Sequence, residues 1–528
     1  MRDNQYPGRS VVMSTRGMIA TSQPLATQAG LAVLQNGGNA MDAAIAASAV
    51  LCVAEPQATG IGGDCFLLYH EARTGKLHGL NGSGRAPARA TLEEFERRGL
   101  MQVPEFGILS VLVPGAVDAW QTALERFGTR SLEELLQPAI AFAEDGYAVT
   151  PVVAKAWQNN AAVLAPHPES RRDFWVDGRA PVAGTVHRQP RLAQSLRQLA
   201  RGGRDAFYQG AIAEEIVRFS HAHDGLFELE DFAVYRSEWV EPICTDYHGV
   251  RVYEIPPNGQ GITALMTLNI LAHADLRGLA HLSADHLHLF IEAFKLAVAE
   301  RDAYVADPAF NKLPVEQMLS KEFAAAQYGR IDPKRAARFP IAPAARAHRD
   351  TVYLSVVDRD RNAVSFINSL YYPFGSGMVA GDTGIMLQNR GAGFVLERGH
   401  FNCIAPRKRP LHTIIPAMAY RGDDLLSFGV MGGEYQAMGH AYLLTNWLDF
   451  GLDLQEAIDA PRFLPGGGAV VLERPVPDAV LKELQRRGHA VGRTELSLGG
   501  AQAIYVDARN GVLQAGSDPR KDGCALGY

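Results

Sequence analysis

The run from Ala40 to Ala54 is the feature that most narrows how this chain can fold. Its sequence, AMDAAIAASAVLCVA, is dense in alanine and is apolar on nearly every side of a helix. A helix that is apolar all round has to be buried, and its small side chains let neighbouring elements approach closely. With 528 residues, of which 47% are hydrophobic, the chain can supply the large core that such a helix needs.

The chain shows no sign of being divided into separate domains. No Ser/Gly-rich, Pro-rich or low-complexity stretch extends over more than a few residues, and no internal repeat with a period of roughly 20–50 residues is visible. We therefore expect one large globular unit.

The charge of the chain argues against nucleic-acid binding. The formal net charge is −6, whereas a nucleic-acid-binding domain normally carries a basic face. The one basic cluster is the short run Arg407-Lys408-Arg409. We expect a solvated loop there rather than a site for a phosphate or a carboxylate, so no nucleic-acid partner is predicted.

The cysteines and the apolar runs indicate the cellular setting. The five cysteines are odd in number, widely spaced and without a CxxC pair, which argues against a disulfide framework and a structural zinc site. The first residues contain no apolar segment of signal-peptide length, and no run of about 18 apolar residues exists that could span a membrane. We expect a cytoplasmic protein with no membrane partner.

A glycine-rich turn, Gly60-Ile61-Gly62-Gly63-Asp64, precedes a predicted strand over residues 65–69. A phosphate-binding loop is the alternative interpretation, but the pattern is neither GxGxxG nor GxxxxGK[ST], and no helix clearly follows it. A tight turn leading into a buried strand explains it better. Upstream, Pro24 and the pair Gly37-Gly38 mark the start and the end of a predicted helix over residues 24–35.

Further helices are predicted over residues 115–127, 131–145, 191–201, 210–221 and 285–304. The last of them carries His286, His288 and the acidic Glu292. Residues two apart do not share a face of a helix, and a metal site would need histidines four apart together with a third ligand. We therefore predict no metal and no organic cofactor.

The pattern changes after about residue 350. Residues 351–357 alternate like a strand, 358–362 (DRDRN) supply a turn, and 363–370 alternate again, which predicts a β-hairpin. A later apolar run, 425–431, predicts a strand that ends at Gly432-Gly433, with a helix that begins near Glu434.

Short motifs follow one another in a fixed order over nearly the whole chain. They are Gly37-Gly38-Asn39-Ala40-Met41-Asp42-Ala43-Ala44, Pro56-Gln57-Ala58 followed by Gly62-Gly63, Arg349-Asp350-Thr351, Lys408-Arg409-Pro410, Gly432-Gly433, Ala460-Pro461-Arg462 and Ser517-Asp518-Pro519-Arg520. In order and approximate spacing they resemble the γ-glutamyltransferase family of N-terminal-nucleophile hydrolases. The resemblance implies an α+β fold, a four-layer αββα sandwich, built as a single domain. It also implies cleavage between Asp350 and Thr351 into a large subunit, 1–350, and a small subunit, 351–528.

The chemistry of such a cleavage explains how Thr351 could become a nucleophile. An internal threonine hydroxyl is a poor nucleophile near pH 7, because it has no built-in base. Once the preceding bond is cut, the same residue carries a free α-amine with a pKa of roughly 7.7–8.0. That amine can take the hydroxyl proton directly or through a water. Without the surrounding motifs, Thr351 would be an ordinary β-branched residue on a strand.

The resemblance also assigns supporting roles. Ser369 falls where the family has a second threonine that hydrogen-bonds the nucleophile. Gly432 and Gly433 fall on the glycine pair whose backbone N–H groups bind the oxyanion. Their place between a strand and a helix suits that task, since N–H groups at a helix start point outward with the helix dipole behind them.

The chain departs from the family where the glutamyl group is bound. The arginine that holds the α-carboxylate falls at Ser83, with Arg85 two residues later, and the aspartate that holds the α-amine falls at Gly393. Its Ser-Ser pair falls at His412-Thr413, and its nearby asparagine at Tyr371. The stretch from Gly393 to Lys408 is also too short for the family's lid. These features are similar to a lid-less branch that includes cephalosporin-acylase-like proteins. We hypothesise that Arg85 or Arg390 binds a substrate carboxylate in a bidentate contact.

The expected function is hydrolysis or transfer of an acyl group through an acyl-Thr351 enzyme. The favoured substrates are γ-glutamyl compounds such as glutathione, and the alternative is an amidohydrolase for glutaryl-like or other carboxylate-bearing acyl groups. An inactive binding homologue is a rival from another class. The large and small subunits from one precursor are the expected partners, and the sequence leaves a further pairing of these heterodimers open.

Overall fold

The computed structural model describes residues 8–337 and 351–528. In chain order, the strands β1 to β19 are Val12–Ser14, Met18–Thr21, Asp64–Glu71, Lys76–Gly82, Tyr147–Ala148, Val186–His187, Glu238–Val240, Ile243–Tyr247, Val250–Glu254, Val352–Val357, Ala363–Ser369, Ala417–Arg421, Asp424–Met431, Phe463–Gly466, Ala469–Leu472, Val491–Arg493, Gly500–Asp507, Val512–Ser517 and Cys524–Gly527.

The α-helices of the same part of the chain, α1 to α18, are Pro24–Gln35, Ala40–Ala54, Leu92–Arg97, Ala116–Phe127, Leu132–Leu135, Gln137–Asp145, Pro151–Leu164, Pro168–Phe174, Pro190–Tyr208, Ala211–Ala222, Leu229–Ala233, Gly261–Leu271, Ala284–Tyr304, Val315–Met318, Lys321–Tyr328, Tyr435–Leu448, Leu454–Asp459 and Asp478–Arg486. Short 3₁₀ helices span Ile108–Ser110, Leu276–Gly278 and Arg390–Gly393. None of the described helices combines the length and the apolar character that crossing a bilayer requires.

Most strands belong to two seven-stranded antiparallel sheets. The first has the order β1-β18-β17-β13-β12-β9-β8, and the second has the order β19-β2-β10-β11-β3-β4-β7. The predicted hairpin is confirmed, because β10 and β11 pair antiparallel from Val352↔Asn368 to Val357↔Ala363. It lies in the middle of its sheet, with β2 on one side and β3 on the other. Each sheet therefore contains strands from both sides of the predicted cleavage point.

Side chains from the two sheets meet between β10 and β13. The Ser355 hydroxyl lies 3.0 Å from that of Ser427, and the ring of Tyr353 occupies the space where Gly429 has no Cβ. The Tyr353 hydroxyl is bonded in turn to Ser365 at 2.7 Å. The middle strands of each sheet are thus buried among protein groups.

Helices cover the other faces of these strands. α2 contacts β10 and β11, and α16 contacts β13. Because side chains alternate along a strand, Leu354 and Val356 pack into the core that contains α2, whereas Tyr353 and Val357 pack into the other core. The predicted buried helix is confirmed, since every residue of α2 is buried.

Several of the shared motifs hold the fold together. Asn39 and Asp42 form a reciprocal capping box at the start of α2, and the Ala40 N–H donates to Asp358 at 3.0 Å. Near the end of the chain, Arg462 forms a buried ion pair of 2.5 Å with Asp518. The motifs Ala460-Pro461-Arg462 and Ser517-Asp518-Pro519-Arg520 therefore lie in contact, and this ion pair joins them.

Candidate active site

Thr351 and Ser369 face each other at the open end of the β10–β11 hairpin. Since Val352 pairs with Asn368, the next residues outward come opposite, and their hydroxyl oxygens lie 3.0 Å apart. Both side chains are buried. The Tyr371 N–H donates to the Ser369 hydroxyl at 2.9 Å, which fixes its oxygen toward Thr351.

A chain of contacts leads from this pair of hydroxyls through Tyr371 to Arg390 and Thr413. Tyr371 has a φ of 84°, a left-handed conformation that is rare for a bulky residue and that concentrates at functional sites. The guanidinium carbon of Arg390 lies 3.9 Å from the centre of the Tyr371 ring. Arg390 also donates from Nη1 to the Thr413 hydroxyl at 2.7 Å. The structure thus joins five of the predicted site residues through direct contacts.

Asp64 and His412 form a buried hydrogen-bonded pair next to Ser369 and Arg390. Asp64 is opposite Ser369 in the β3–β11 pairing. Its carboxylate accepts from the Gly84 N–H at 2.9 Å and from His412 Nε2 at 2.9 Å. Nδ1 of His412 accepts from the Ile414 N–H at 3.3 Å, so the ring proton belongs on Nε2. The sequence pointed to His412 but treated Asp64 only as the end of a turn.

Burial controls the protonation of this pair. It raises the pKa of Asp64 to about 7, against the attraction of Arg390, whose Nε lies 3.9 Å from the carboxylate. Burial also lowers the pKa of His412 well below its usual range, and Arg390 and Arg409 lower it further. His412 is therefore neutral near pH 7, whereas Asp64 titrates there.

Arg85, the other predicted carboxylate ligand, is engaged elsewhere. Its guanidinium lies 2.6 Å from Glu238 and 3.7 Å from Asp307, and it donates to the Arg407 carbonyl at 3.0 Å. Its side chain is partly exposed. These contacts use the donors that a bidentate substrate contact would need, so the geometry favours Arg390 for that role.

The expectation of a solvated loop at 407–409 is wrong for two of its three residues. Lys408 and Arg409 are buried. Lys408 donates to the carbonyls of Phe401 at 2.6 Å and Cys403 at 2.9 Å. Arg409 pairs with Glu238 at 2.8 Å, and within the described part of the chain its Nε and Nη2 have no hydrogen-bond acceptor. The cations are buried because each has its own oxygen partner.

The glycine pair lies between β13 and α16, as predicted. Gly432 has a φ of 121° and Gly433 a φ of 60°, and a Cβ on Gly432 would come within 2.8 Å of the Gly499 backbone. The side chain of Gln260 donates to the carbonyls of Gly433 at 3.0 Å and Thr413 at 2.8 Å. Gln260 therefore ties the glycine turn to the residue that holds Arg390. Nothing in the sequence distinguished it.

The Gly60–Asp64 turn brings two backbones together. Gly62 forms an isolated bridge with Leu387, and a Cβ on it would lie 2.3 Å from the Met386 carbonyl. A Cβ on Gly63 would lie 2.4 Å from the Ser369 carbonyl. The glycines are required by this close approach, which supports the tight-turn interpretation over a phosphate loop.

A group of possible metal ligands lies in a different part of the molecule. His288 and Glu292 are one turn apart on α13, and with His489 their ligand atoms lie within 4.8 Å of one another. Glu292 follows His288 by four residues and therefore shares its face of the helix, a pairing that the spacing of the two helix histidines alone does not show. The absence of a metal stays a prediction.

Hydrogen bonds already use the atoms of this group. His288 Nε2 donates to the Asp332 carbonyl and its Nδ1 accepts from His489 Nε2, both at 2.8 Å. His489 Nδ1 faces the Lys295 ammonium at 3.4 Å, which lies 2.8 Å from Glu292. The ammonium therefore occupies the place of a cation, and the chain of donors fixes both tautomers. We call these four side chains the histidine relay; His489 belongs to the predicted small subunit and the others to the large one.

Comparison with known proteins finds chains that are similar to this one over almost its full length. The family profile described as gamma-glutamyltranspeptidase matches residues 26–528. The glutathione hydrolase-like YwrD proenzyme of Bacillus subtilis is 40% identical over 98% of this chain and 99% of that protein. The oxamate amidohydrolase proenzyme of Klebsiella pneumoniae is 36% identical over 98% and 99%. The crystal structure of cephalosporin acylase from Bacillus halodurans superposes with a TM-score of 0.92 at 42% identity, covering 100% of this chain and 99% of the other.

Proposed function

This chain belongs to the gamma-glutamyltranspeptidase family, and we propose that it is an autoprocessing amide hydrolase or acyltransferase with Thr351 as its nucleophile. The observation that carries the proposal is the 3.0 Å contact between the hydroxyls of Thr351 and Ser369. This contact lies at the end of a central strand, and Tyr371 connects it to Arg390. An inactive binding homologue would have no need of this combination, and neither would a nucleotide-binding enzyme.

Maturation would proceed by an N→O acyl shift. The Thr351 hydroxyl attacks the carbonyl of Asp350, which lies outside the described residues, and the peptide nitrogen leaves as the α-amine of Thr351. Water then hydrolyses the resulting ester. The products are the large subunit, 1–350, and the small subunit, 351–528. The relatives that carry the word proenzyme in their names support such processing.

Catalysis would reuse the same hydroxyl. The α-amine takes the proton of Thr351 Oγ as that oxygen attacks the substrate amide carbon. The tetrahedral intermediate collapses when the substrate C–N bond breaks, and the leaving amine receives the proton. Water, or an acceptor amine, then attacks the acyl-Thr351 ester and releases the acyl group.

Gly432 and Gly433 would bind the developing oxyanion. They lie between the end of β13 and the start of α16, where backbone N–H groups and the helix dipole favour negative charge. Gln260 supports this role, since it holds the Gly433 carbonyl and leaves the turn little freedom. Two seven-stranded sheets with helices on their outer faces likewise support the four-layer αββα sandwich.

The acyl group would carry a carboxylate, bound by Arg390 with Thr413, His412 and Tyr371 around it. Arg390 is buried, so a carboxylate that reached it would form a charge-assisted bond away from water. γ-Glutamyl amides of the glutathione type satisfy this requirement and are supported by the family.

A second candidate class is favoured by one observation. Gly393 stands where the family places the acid that binds the substrate ammonium, and its carbonyl is taken by Asn402 at 2.7 Å. Acyl groups with a carboxylate and no ammonium, such as glutaryl, lose nothing from this absence. The names of the cephalosporin acylase and oxamate amidohydrolase relatives are in line with such substrates.

Two measurements test the proposal. Denaturing mass spectrometry should find two chains that separate before Thr351, and a single chain in Thr351→Ala. The cleaved enzyme should then be assayed with the p-nitroanilides of γ-glutamate, glutarate and pentanoate, which differ only in their charged groups. We expect turnover of one or both carboxylate-bearing anilides above pentanoyl anilide. An uncut chain, or a cleaved enzyme that turns over no carboxylate-bearing anilide, would refute the proposal.

A further inference from the structure

Among the described residues, Asp64 is a buried acid that lies beside Arg390, the predicted carboxylate ligand. Its side chain is fully buried, and its Oδ2 lies 2.9 Å from His412 Nε2 and 3.9 Å from Arg390 Nε. On the next strand, Ser369 is its direct partner. A substrate carboxylate on Arg390 would therefore share that guanidinium with Asp64.

We propose, on the basis of the function assigned to Arg390 above, that binding of a substrate carboxylate is coupled to the uptake of one proton by Asp64. Asp64 would then be a specificity-determining residue, because its protonation decides which charge the acyl pocket accepts. The preferred substrates would be amides of acyl groups whose only charge is a carboxylate.

The charges around Asp64 support this coupling. The groups that face it are Arg390, Arg409, His412, Tyr235 and Cys65, and cleavage adds the α-amine of Thr351. Glu238 pairs with Arg409 from the exposed side. Glu238 also pairs with Arg85, which lies 3.7 Å from Asp307. With Asp64 ionised, three carboxylates therefore balance three guanidiniums. A carboxylate that enters together with a proton leaves that balance unchanged, whereas a carboxylate alone would bury an excess negative charge.

Other titrating groups in this set do not replace Asp64. Burial raises the pKa values of Tyr235 and Cys65 and lowers that of His412, so none of the three changes charge near neutral pH. Only Asp64, with a pKa of about 7, and the α-amine of Thr351 remain. A second carboxylate on Arg390 would raise the pKa of Asp64 further.

The expected result is a pH-dependent affinity. Above about pH 7 the free enzyme has lost the proton from Asp64, so an anionic substrate has to bring one. A pKa rise of one unit on binding corresponds to a tenfold difference in affinity between the two forms. The KM for glutaryl anilide should therefore increase about sixfold from pH 6.5 to pH 8.5, which is most of that limit, whereas that for pentanoyl anilide should stay flat.

The first test compares Asp64→Asn with wild type after both have been shown to be cleaved. In the variant, the KM for glutaryl anilide should rise much less from pH 6.5 to pH 8.5 than in wild type, because the contribution of Asp64 to the slope is lost. Asp118→Asn is the matched control, since it removes another fully buried carboxylate, paired with Arg204, and should keep the wild-type slope. The α-amine of Thr351 also titrates in this range, and its effect should remain in all three proteins. An unchanged slope in Asp64→Asn would overturn the proposal.

A second measurement needs no variant and serves if Asp64→Asn does not mature. Infrared difference spectra of the wild-type enzyme should be recorded on binding of ¹³C-labelled glutarate at pH 8. The label shifts the bands of the ligand away from those of the protein. A new protein band from a protonated carboxyl group is expected, and the α-amine cannot produce it. Its absence would overturn the coupling.

The two proposals can fail separately. If no carboxylate-bearing anilide is turned over, the proposed function is wrong. If turnover depends on Arg390 but the KM for glutaryl anilide is flat with pH, only the coupling to Asp64 is wrong.

Discussion

The hydroxyl of Ser369 lies 3.0 Å from that of Thr351 across the open end of a central hairpin. Its oxygen is held by the Tyr371 N–H, so it can orient the Thr351 oxygen for attack on a carbonyl carbon. Ser369 thus connects the predicted nucleophile with Tyr371, and the ring of Tyr371 in turn contacts the Arg390 guanidinium.

Replacing Ser369 by alanine should slow self-cleavage and acyl transfer about tenfold each, the worth of one hydrogen bond to a reacting group. Ser369→Thr keeps the hydroxyl and should retain most of the activity. Intact mass against time reports cleavage, and kcat reports transfer. Ser376→Ala removes a buried hydroxyl bonded to the Leu387 carbonyl and is the control. Equal rates in Ser369→Ala and wild type would contradict this role.

Gln260→Met should lower kcat clearly while it lowers the melting temperature only slightly. The substitution removes the donors to the Gly433 and Thr413 carbonyls and leaves the oxyanion turn without its brace. Gln455 is a matched control, because its amide also donates to a buried carbonyl, that of Ser517 at 2.9 Å. Gln455→Met should destabilise the fold with little change in kcat. If both variants behave alike, Gln260 supports only the fold.

Arg390→Ala should raise the KM for glutaryl anilide about ten- to hundredfold, as expected for a lost charge-assisted bond of about 1.5–3 kcal/mol. Arg85→Ala should change it by less than about twofold, since the Arg85 guanidinium is bound to Glu238 and an exposed pair of this kind contributes little. Pentanoyl anilide is the control substrate and should not respond to either change. The reverse ranking of the two arginines would show that the carboxylate binds at Arg85.

The histidine relay should make stability depend on pH. Burial, with Lys295 nearby, lowers the pKa of His489 to about 3, whereas an unfolded chain takes up that proton near pH 6.5. The unfolded state therefore binds more protons below pH 6.5, so the free energy of unfolding decreases as the pH is lowered, by about 2 kcal/mol from this group at pH 5.

His489→Gln can donate and accept in the same place but does not titrate. Its melting temperature should match wild type at pH 8 and fall less between pH 7 and pH 5. Scanning calorimetry at these three pH values measures the difference. Parallel curves for the two proteins would show that His489 is not the titrating group.

The sequence predicted those features that depend on neighbours along the chain. The bounds of α1 and α2 followed from Pro24, the glycine pair and the apolar run, and the hairpin followed from alternation. Thr351, Ser369, Tyr371, Arg390 and Thr413 were found through a resemblance, and the structure brings them into contact. Their catalytic and binding roles stay predictions.

The features that the sequence missed depend on sheet pairing and packing between distant segments. Asp64 becomes part of the site because β3 pairs with β11, and Gln260 because α12 begins beside Thr413. Arg409 was assigned to solvent from its charge, yet its partner Glu238 lies far earlier in the chain. Composition and periodicity do not predict contacts between residues that are so far apart in the sequence.

The two sheets each draw strands from both sides of residue 350, and this has a consequence for the processed protein. Cutting before Thr351 would leave two interwoven polypeptides rather than two bodies that meet at a surface. They could part only if hydrogen-bonded strands on both sides of the hairpin were torn away. Unfolding would then be a dissociation, dependent on protein concentration, and chains once separated would have to find each other before either sheet could re-form. The uncut precursor could refold as one chain, whereas the processed protein, once unfolded, would hardly re-form from its two separate chains.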